Sequence, residues 1–139
     1  MENQFQPYNK EVMKHFSNPK NYGVINNPDS VGEKGNIKCG DIMKIYLKVK
    51  DNKIKDIKFK TFGCIAAIAS SDVLCELAKG KTIEQAKKIS NKDIIDKLKG
   101  LPSIKLHCSV LGADALKTAI YNYEKEVLKN PKNKLKTFK

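Results

Sequence analysis

From Asp41 to Lys50 the chain alternates, with Met43, Ile45, Leu47 and Val49 on one side and Lys44, Lys48 and Lys50 on the other. A period of two over this length predicts a strand with one buried and one wet face. Asp51-Asn52-Lys53 reads as a compact hairpin turn. The returning strand, Ile54 to Phe62, sets Ile57, Phe59 and Thr61 against Lys58 and Lys60. The period changes at Gly63-Cys64. From Ile65 to Lys79 an Ala-rich spacing predicts a helix, and Gly80 stands where a helix end favours glycine.

Thr82-Ile83-Glu84-Gln85 fits a capping box that opens a second short helix. Ser90-Asn91 opens a third, which carries Ile94, Ile95 and Leu98 and ends at Gly100, and Leu101-Pro102-Ser103 follows as a loop. From Cys108 onward Leu111, Ala115, Ala119, Tyr123 and Val127 mark one face of a long helix that ends before Pro131. Ahead of the strands, Tyr8 to Phe16 predicts a short amphipathic helix with Val12, Met13 and Phe16 on one face, stopped by Ser17-Asn18-Pro19. Asn21 to Gly35 reads as a loop with one edge strand near Val31. Strands come first and helices later, which predicts an α+β fold: a small antiparallel sheet of about three strands with helices packed on one face.

A length of 139 residues suits one domain. We assign residues 1–128 to it and 129–139 to a basic tail, in which Lys129, Lys132, Lys134, Lys136 and Lys139 meet no acid. Hydrophobic types make up 40% and charged types 30%, a globular balance that argues against both a membrane protein and a disordered polymer. No apolar run approaches the roughly 20 residues of a bilayer span. The start, Met1-Glu2-Asn3-Gln4-Phe5-Gln6, lacks a basic stretch followed by an apolar one, so a cytoplasmic location is expected.

The net charge of +12 suggests nucleic acid at first sight, but all 27 basic residues are Lys. Guanidinium forks, the preferred readers of guanine edges and paired phosphate oxygens, are absent. A solvated basic surface is the favoured reading over nucleic-acid binding, and attraction to an acidic protein partner stays open.

The four cysteines change the picture more. Cys39, Cys64, Cys75 and Cys108 form no Cys-x-x-Cys pair, which argues against zinc fingers and thioredoxin-type redox sites. Cys39, Cys64 and Cys108 fall at junctions between elements, where site residues sit on a rigid scaffold. Helix starts, the setting of Cys64 and Cys108, favour thiolate, the form that binds metal or attacks sulfur. Cys75 lies between Leu74 and Leu77 inside a helix and is assigned to packing. His15, after Lys14 on the first helix, is expected at the surface or rim. His107, in a loop directly before Cys108, adds a second soft donor. Spacing alone leaves two readings of Cys39, Cys64 and Cys108: one metal site, or three separate buried cysteines.

The stretch Asn9 to Tyr123 resembles the IscU/NifU amino-terminal family of iron–sulfur cluster assembly scaffolds. The resemblance rests on Tyr8-Asn9-Lys10-Glu11-Val12, Asn18-Pro19-Lys20-Asn21, Cys39-Gly40-Asp41-Ile42-Met43-Lys44 and Phe59-Lys60-Thr61-Phe62-Gly63-Cys64. It continues through Ala67-Ile68-Ala69-Ser70-Ser71, Leu101-Pro102-Ser103-Ile104-Lys105 and His107-Cys108-Ser109, in the family's order and with similar gaps.

The resemblance implies a SufE/NifU-like fold and a scaffold, not a turnover enzyme, that builds a labile [2Fe–2S] cluster from iron and desulfurase-derived sulfur. It implies transfer of that cluster to apo-proteins, with a cysteine desulfurase as partner and a monomer or homodimer as the working unit. Cys39, Cys64 and Cys108 match the family's cluster-ligating cysteines, Asp41 and His107 its aspartate and histidine, and Cys108 its persulfide acceptor. Zinc suits the same donors without a cluster, and a zinc-bound persulfide acceptor is the alternative reading. The SufU branch carries an insertion between the second and third cysteines that the stretch from Cys64 to Cys108 lacks. In the segment where relatives bind a DnaK-type chaperone, this chain has Leu101, Pro102, Ile104 and Lys105 but Ser103 in place of the second proline, which removes one φ constraint. Ile65 stands where many relatives have glycine.

Overall fold

A computed structural model describes residues 8–36, 41–102 and 106–129; the side chains of Asn36, Asp41, His107, Cys108, Leu128 and Lys129 are outside that description. Helix α1 (Lys10–Ser17) leads to strands β1 (Ser30–Asn36), β2 (Asp41–Lys50) and β3 (Lys53–Thr61). Helices α2 (Ile65–Ala78), α3 (Ile83–Lys87), α4 (Asn91–Lys97) and α5 (Leu106–Lys129) follow. The strands form one antiparallel sheet in the order β1-β2-β3, so the expected α+β class is observed.

The alternation does what period two demands. Met43, Ile45, Leu47, Ile54, Ile57 and Phe59 are buried, and α2 and α5 pack over that face. Each such aliphatic side chain contributes about 1.5–3 kcal/mol when fully buried. Asp51 and Asn52 both take positive φ, 54° and 63°, the type I′ geometry that matches the twist of a two-residue hairpin. A register shift at Lys48/Val49 moves the later half of β3 by one residue and keeps Ile54 inside.

The helix ends follow their signals. Thr82 with Gln85, and Ser90 with Asp93, form complete capping boxes, each cap worth about 1 kcal/mol. Gly80, at φ 84°, takes the left-handed turn after α2. On α5, Leu111, Ala115, Ala119 and Tyr123 are buried and Val127 packs against the core.

The edge strand expected near Val31 is present as the seven-residue strand β1, at one edge of the sheet. A Cβ at Gly32 would overlap the Ala115 carbonyl oxygen and the Ala119 amide nitrogen, so glycine is the residue that admits α5 onto the sheet. Two expectations are corrected. Helix α5 begins at Leu106, so His107 lies in its first turn and not in a preceding loop. On α1 the buried side chains are Val12 and His15, while Met13 and Phe16 are half-buried. The 129–139 tail lies almost wholly outside the described residues. No helix among the described residues is long and apolar enough to cross a membrane.

Candidate metal centre

Strand β2 starts at Asp41, paired in register with Asn36 at the end of β1. Strand β3 ends at Thr61, beside Met43, so Phe62-Gly63-Cys64 leaves the sheet at the same end. The Phe62 amide reaches the Ile42 carbonyl at 3.4 Å. Cys64 is the N-cap residue of α2, half-buried against the core, and Ile42 and Phe62 beside it are exposed apolar side chains.

Helix α5 reaches this end as well. Its course is fixed by three contacts to β1: Ser30 Oγ donates to the Ala119 carbonyl at 2.6 Å, Asn122 Nδ2 donates to the Val31 carbonyl at 2.9 Å, and Gly32 lies against Ala115 and Ala119. Later strand residues meet earlier helix residues, so the two run antiparallel. From Gly32 to Asn36 the strand covers about 13 Å, and from Ala115 back to Cys108 the helix covers about 10 Å. The His107–Cys108 turn therefore lies towards the end of the sheet where β2 begins. Gly112, against Ser71 and Leu74, lets the first third of α5 approach the middle of α2 closely. Ser109 is buried and pins the turn, its Oγ lying 2.7 Å from the Leu106 carbonyl and 2.5 Å from Asn91 Oδ1. A hydroxyl has one proton, so one of these two contacts is a donation and the Asn91 amide can supply the other.

The chain segments bearing Asp41, Cys64, His107 and Cys108 thus gather at one end of the fold, whereas Cys39 lies outside the described residues. Leu101 and Pro102 of the expected chaperone segment are half-buried, Leu101 against the core; Ile104 and Lys105 lie outside the described residues. Cys75 is fully buried, and desolvation, with Asp72 adding to it, pushes its thiol well above the ordinary value. A thiol so placed is a core residue and a poor nucleophile.

His15 overturns the surface expectation. It is 9% exposed, and its Nδ1 lies 2.7 Å from Asp72 Oδ2 and 3.5 Å from Glu76 Oε1. Asp72 Oδ1 accepts from the Asn21 backbone amide at 2.9 Å and from Asn21 Nδ2 at 3.0 Å. A buried carboxylate on α2 demands such partners, and an Asp within an Ala/Ser/Leu helix was the signal available in the sequence. His15, Asp72 and Glu76 have the spacing of metal ligands. Both Asp72 oxygens are already occupied, however, and Lys14, Lys20 and Lys97 line the same cavity of about 230 Å³. The group is a fastener that holds α1 and the Asn21 segment onto α2.

Comparisons with known proteins identify the family. Residues 7–130 match the NifU-like N terminal domain. The iron–sulfur cluster assembly scaffold protein IscU 1 of Archaeoglobus fulgidus is 57% identical over 116 residues, covering 84% of this chain and 76% of that protein. The scaffold protein IscU of Aquifex aeolicus is 47% identical over 118 residues, covering 84% and 75%. A solved structure from Fervidobacterium islandicum AW-1, described as an iron–sulfur cluster assembly scaffold protein for the SUF system, superposes with a TM-score of 0.69 at 25% identity over 81% of this chain and 96% of its own. With the family's domain matched across nearly the whole chain and its fold reproduced, this protein belongs to the NifU-like N-terminal domain family.

Proposed function

We propose that this protein is a scaffold on which a labile [2Fe–2S] cluster is assembled from iron and desulfurase-derived sulfur, and from which the cluster passes to apo-proteins. The observation that carries the reading is the meeting, at one end of the sheet, of the Asp41 strand start, the Cys64 N-cap and the His107–Cys108 turn. The close kinship to proteins named as IscU scaffolds supports it.

The proposed ligands are Cys39, Cys64 and Cys108, with Asp41 or His107 beside them. Three thiolates hold iron firmly; a carboxylate or imidazole in place of the fourth gives a harder, more exchangeable donor. A scaffold must release what it makes, and a mixed ligand set favours release. In sulfur delivery the Cys108 thiolate attacks the outer sulfur of the desulfurase persulfide, and the desulfurase cysteine leaves as thiolate. Without a cluster, the same donors suit a tetrahedral zinc ion. The protein works as a partner of a desulfurase and of recipient apo-proteins in the cytoplasm, and not by catalytic turnover.

Anaerobic incubation with ferrous iron, cysteine, a desulfurase and a thiol reductant, which supplies the electrons that turn persulfide sulfur into sulfide, followed by Mössbauer spectroscopy, tests the reading. The expected product is red-brown protein whose two iron sites are antiferromagnetically coupled and unequal in ligation. Colourless protein retaining only persulfide would overturn it.

A further inference from the structure

Thr61 breaks the pattern it sits in. It occupies the core side of β3, in line with the buried Ile57 and Phe59, and is itself 4% exposed. An apolar residue would satisfy the alternation, and a buried hydroxyl costs free energy unless it is fully bonded. This one is. Its Oγ1 donates to the Ile42 carbonyl at 2.6 Å and accepts from the Gly63 amide at 2.9 Å. The Thr61 carbonyl accepts from Tyr22 Oη at 3.3 Å, and the Tyr22 ring stands edge-on to Phe59.

The two bonds of the hydroxyl join places that ordinary ladder pairing leaves loose. Ile42 follows Asp41, and Gly63 precedes Cys64. Beyond Thr61 the described link across this gap is the long Phe62 amide contact to the same Ile42 carbonyl. We infer that Thr61 is a positioning residue, a hydroxyl clamp that holds the backbone at the start of β2, which carries Asp41, at a fixed separation from the Gly63-Cys64 entry to α2, for the metal the two residues are proposed to share. This rests on the proposed role of Cys64 and Asp41 as ligands. Thr61 itself touches no metal; it acts through the Ile42 carbonyl and the Gly63 amide, and its own replacement by a same-shaped apolar residue leaves the core filled.

The test compares the unaltered protein with Thr61→Val and Thr61→Ser, using Co²⁺ as probe because its visible bands report thiolate ligation and tetrahedral geometry together. Thr61→Val is expected to keep its far-ultraviolet circular dichroism while losing Co²⁺ affinity tenfold or more, with weakened thiolate-to-cobalt bands. Thr61→Ser restores the hydroxyl and is expected to return affinity to within about threefold, consistent with one charge-neutral hydrogen-bond pair being kept. In the unaltered protein the Gly63 amide is expected to exchange with solvent at least a hundredfold slower than an open amide, a measurement independent of whether Thr61→Val folds. Unchanged affinity and spectrum in Thr61→Val, failure of Thr61→Ser to rescue, or an unprotected Gly63 amide each overturns the clamp alone. An unaltered protein that takes up no Co²⁺ overturns the reading of the site, and the clamp with it.

Discussion

Single side chains divide this protein's cysteines by chemistry. The Cys75 thiol is held well above its ordinary value, first by burial and then by the nearby Asp72 carboxylate. Iodoacetamide at pH 8 is therefore expected to leave Cys75 unmodified in the native protein and to modify it once the chain is unfolded. Peptide mass mapping reads the difference. The sign of the pH effect follows. A group whose folded pKa exceeds its unfolded one adds stability below the unfolded value, and that contribution is lost as pH rises past it. Thermal stability should thus decline above pH 9 and decline less in Cys75→Ala. Asp41 is tested by the exchange argument: Asp41→Ala should give a longer-lived cluster and slower transfer, followed as visible absorbance shifts to an apo-ferredoxin. Transfer as fast as in the unaltered protein would remove Asp41 from the release step.

Among the elements, β1 and α5 depend on each other. A methyl group at Gly32 would strike backbone atoms of Ala115 and Ala119, which cannot rotate aside as a side chain would. Gly32→Ala should therefore cost about 3 kcal/mol or more, at the upper end of overpacking effects, read as a fall in the urea midpoint. The same contact explains what the sequence concealed. Strands β2 and β3 and helix α2 were legible because alternation, the Asp51-Asn52 turn and the Ala-rich run are local signals. Strand β1 was legible only in outline, as an edge strand near Val31, because Gly32 and Gly35 weaken its local signal and the reason for glycine at 32 lies on α5, more than 80 residues away in the chain. His15 failed for a related reason: its partner Asp72 is on another helix, and short polar-looking helices give no sign of which histidine turns inward. The donor set was read by family resemblance, since spacing alone left Cys39, Cys64 and Cys108 as either one site or three unrelated thiols.

Taken as a whole molecule, the proposed ligands come from strand, helix and loop segments widely separated along the chain. A metal held by all of them binds the folded state and not the unfolded one, so it should raise stability by mass action. With zinc at about a hundred times its dissociation constant the gain is about 2.7 kcal/mol. The melting temperature should rise with zinc, return to its starting value with a chelator, and fail to respond in a Cys64→Ser, Cys108→Ser variant. A zinc response that survives loss of both thiols would place the ion elsewhere, and His15, Asp72 and Glu76 would be the next place to look.

The glycine contacts of α5 have a mechanical meaning. Gripped by backbone at Gly32 and seated against α2 at Gly112, the helix has little freedom to slide or roll. A recipient that draws cargo from its first turn therefore pulls against an anvil. Whatever yields in such a hand-over must lie outside this helix, which can serve one recipient after another without changing its seat.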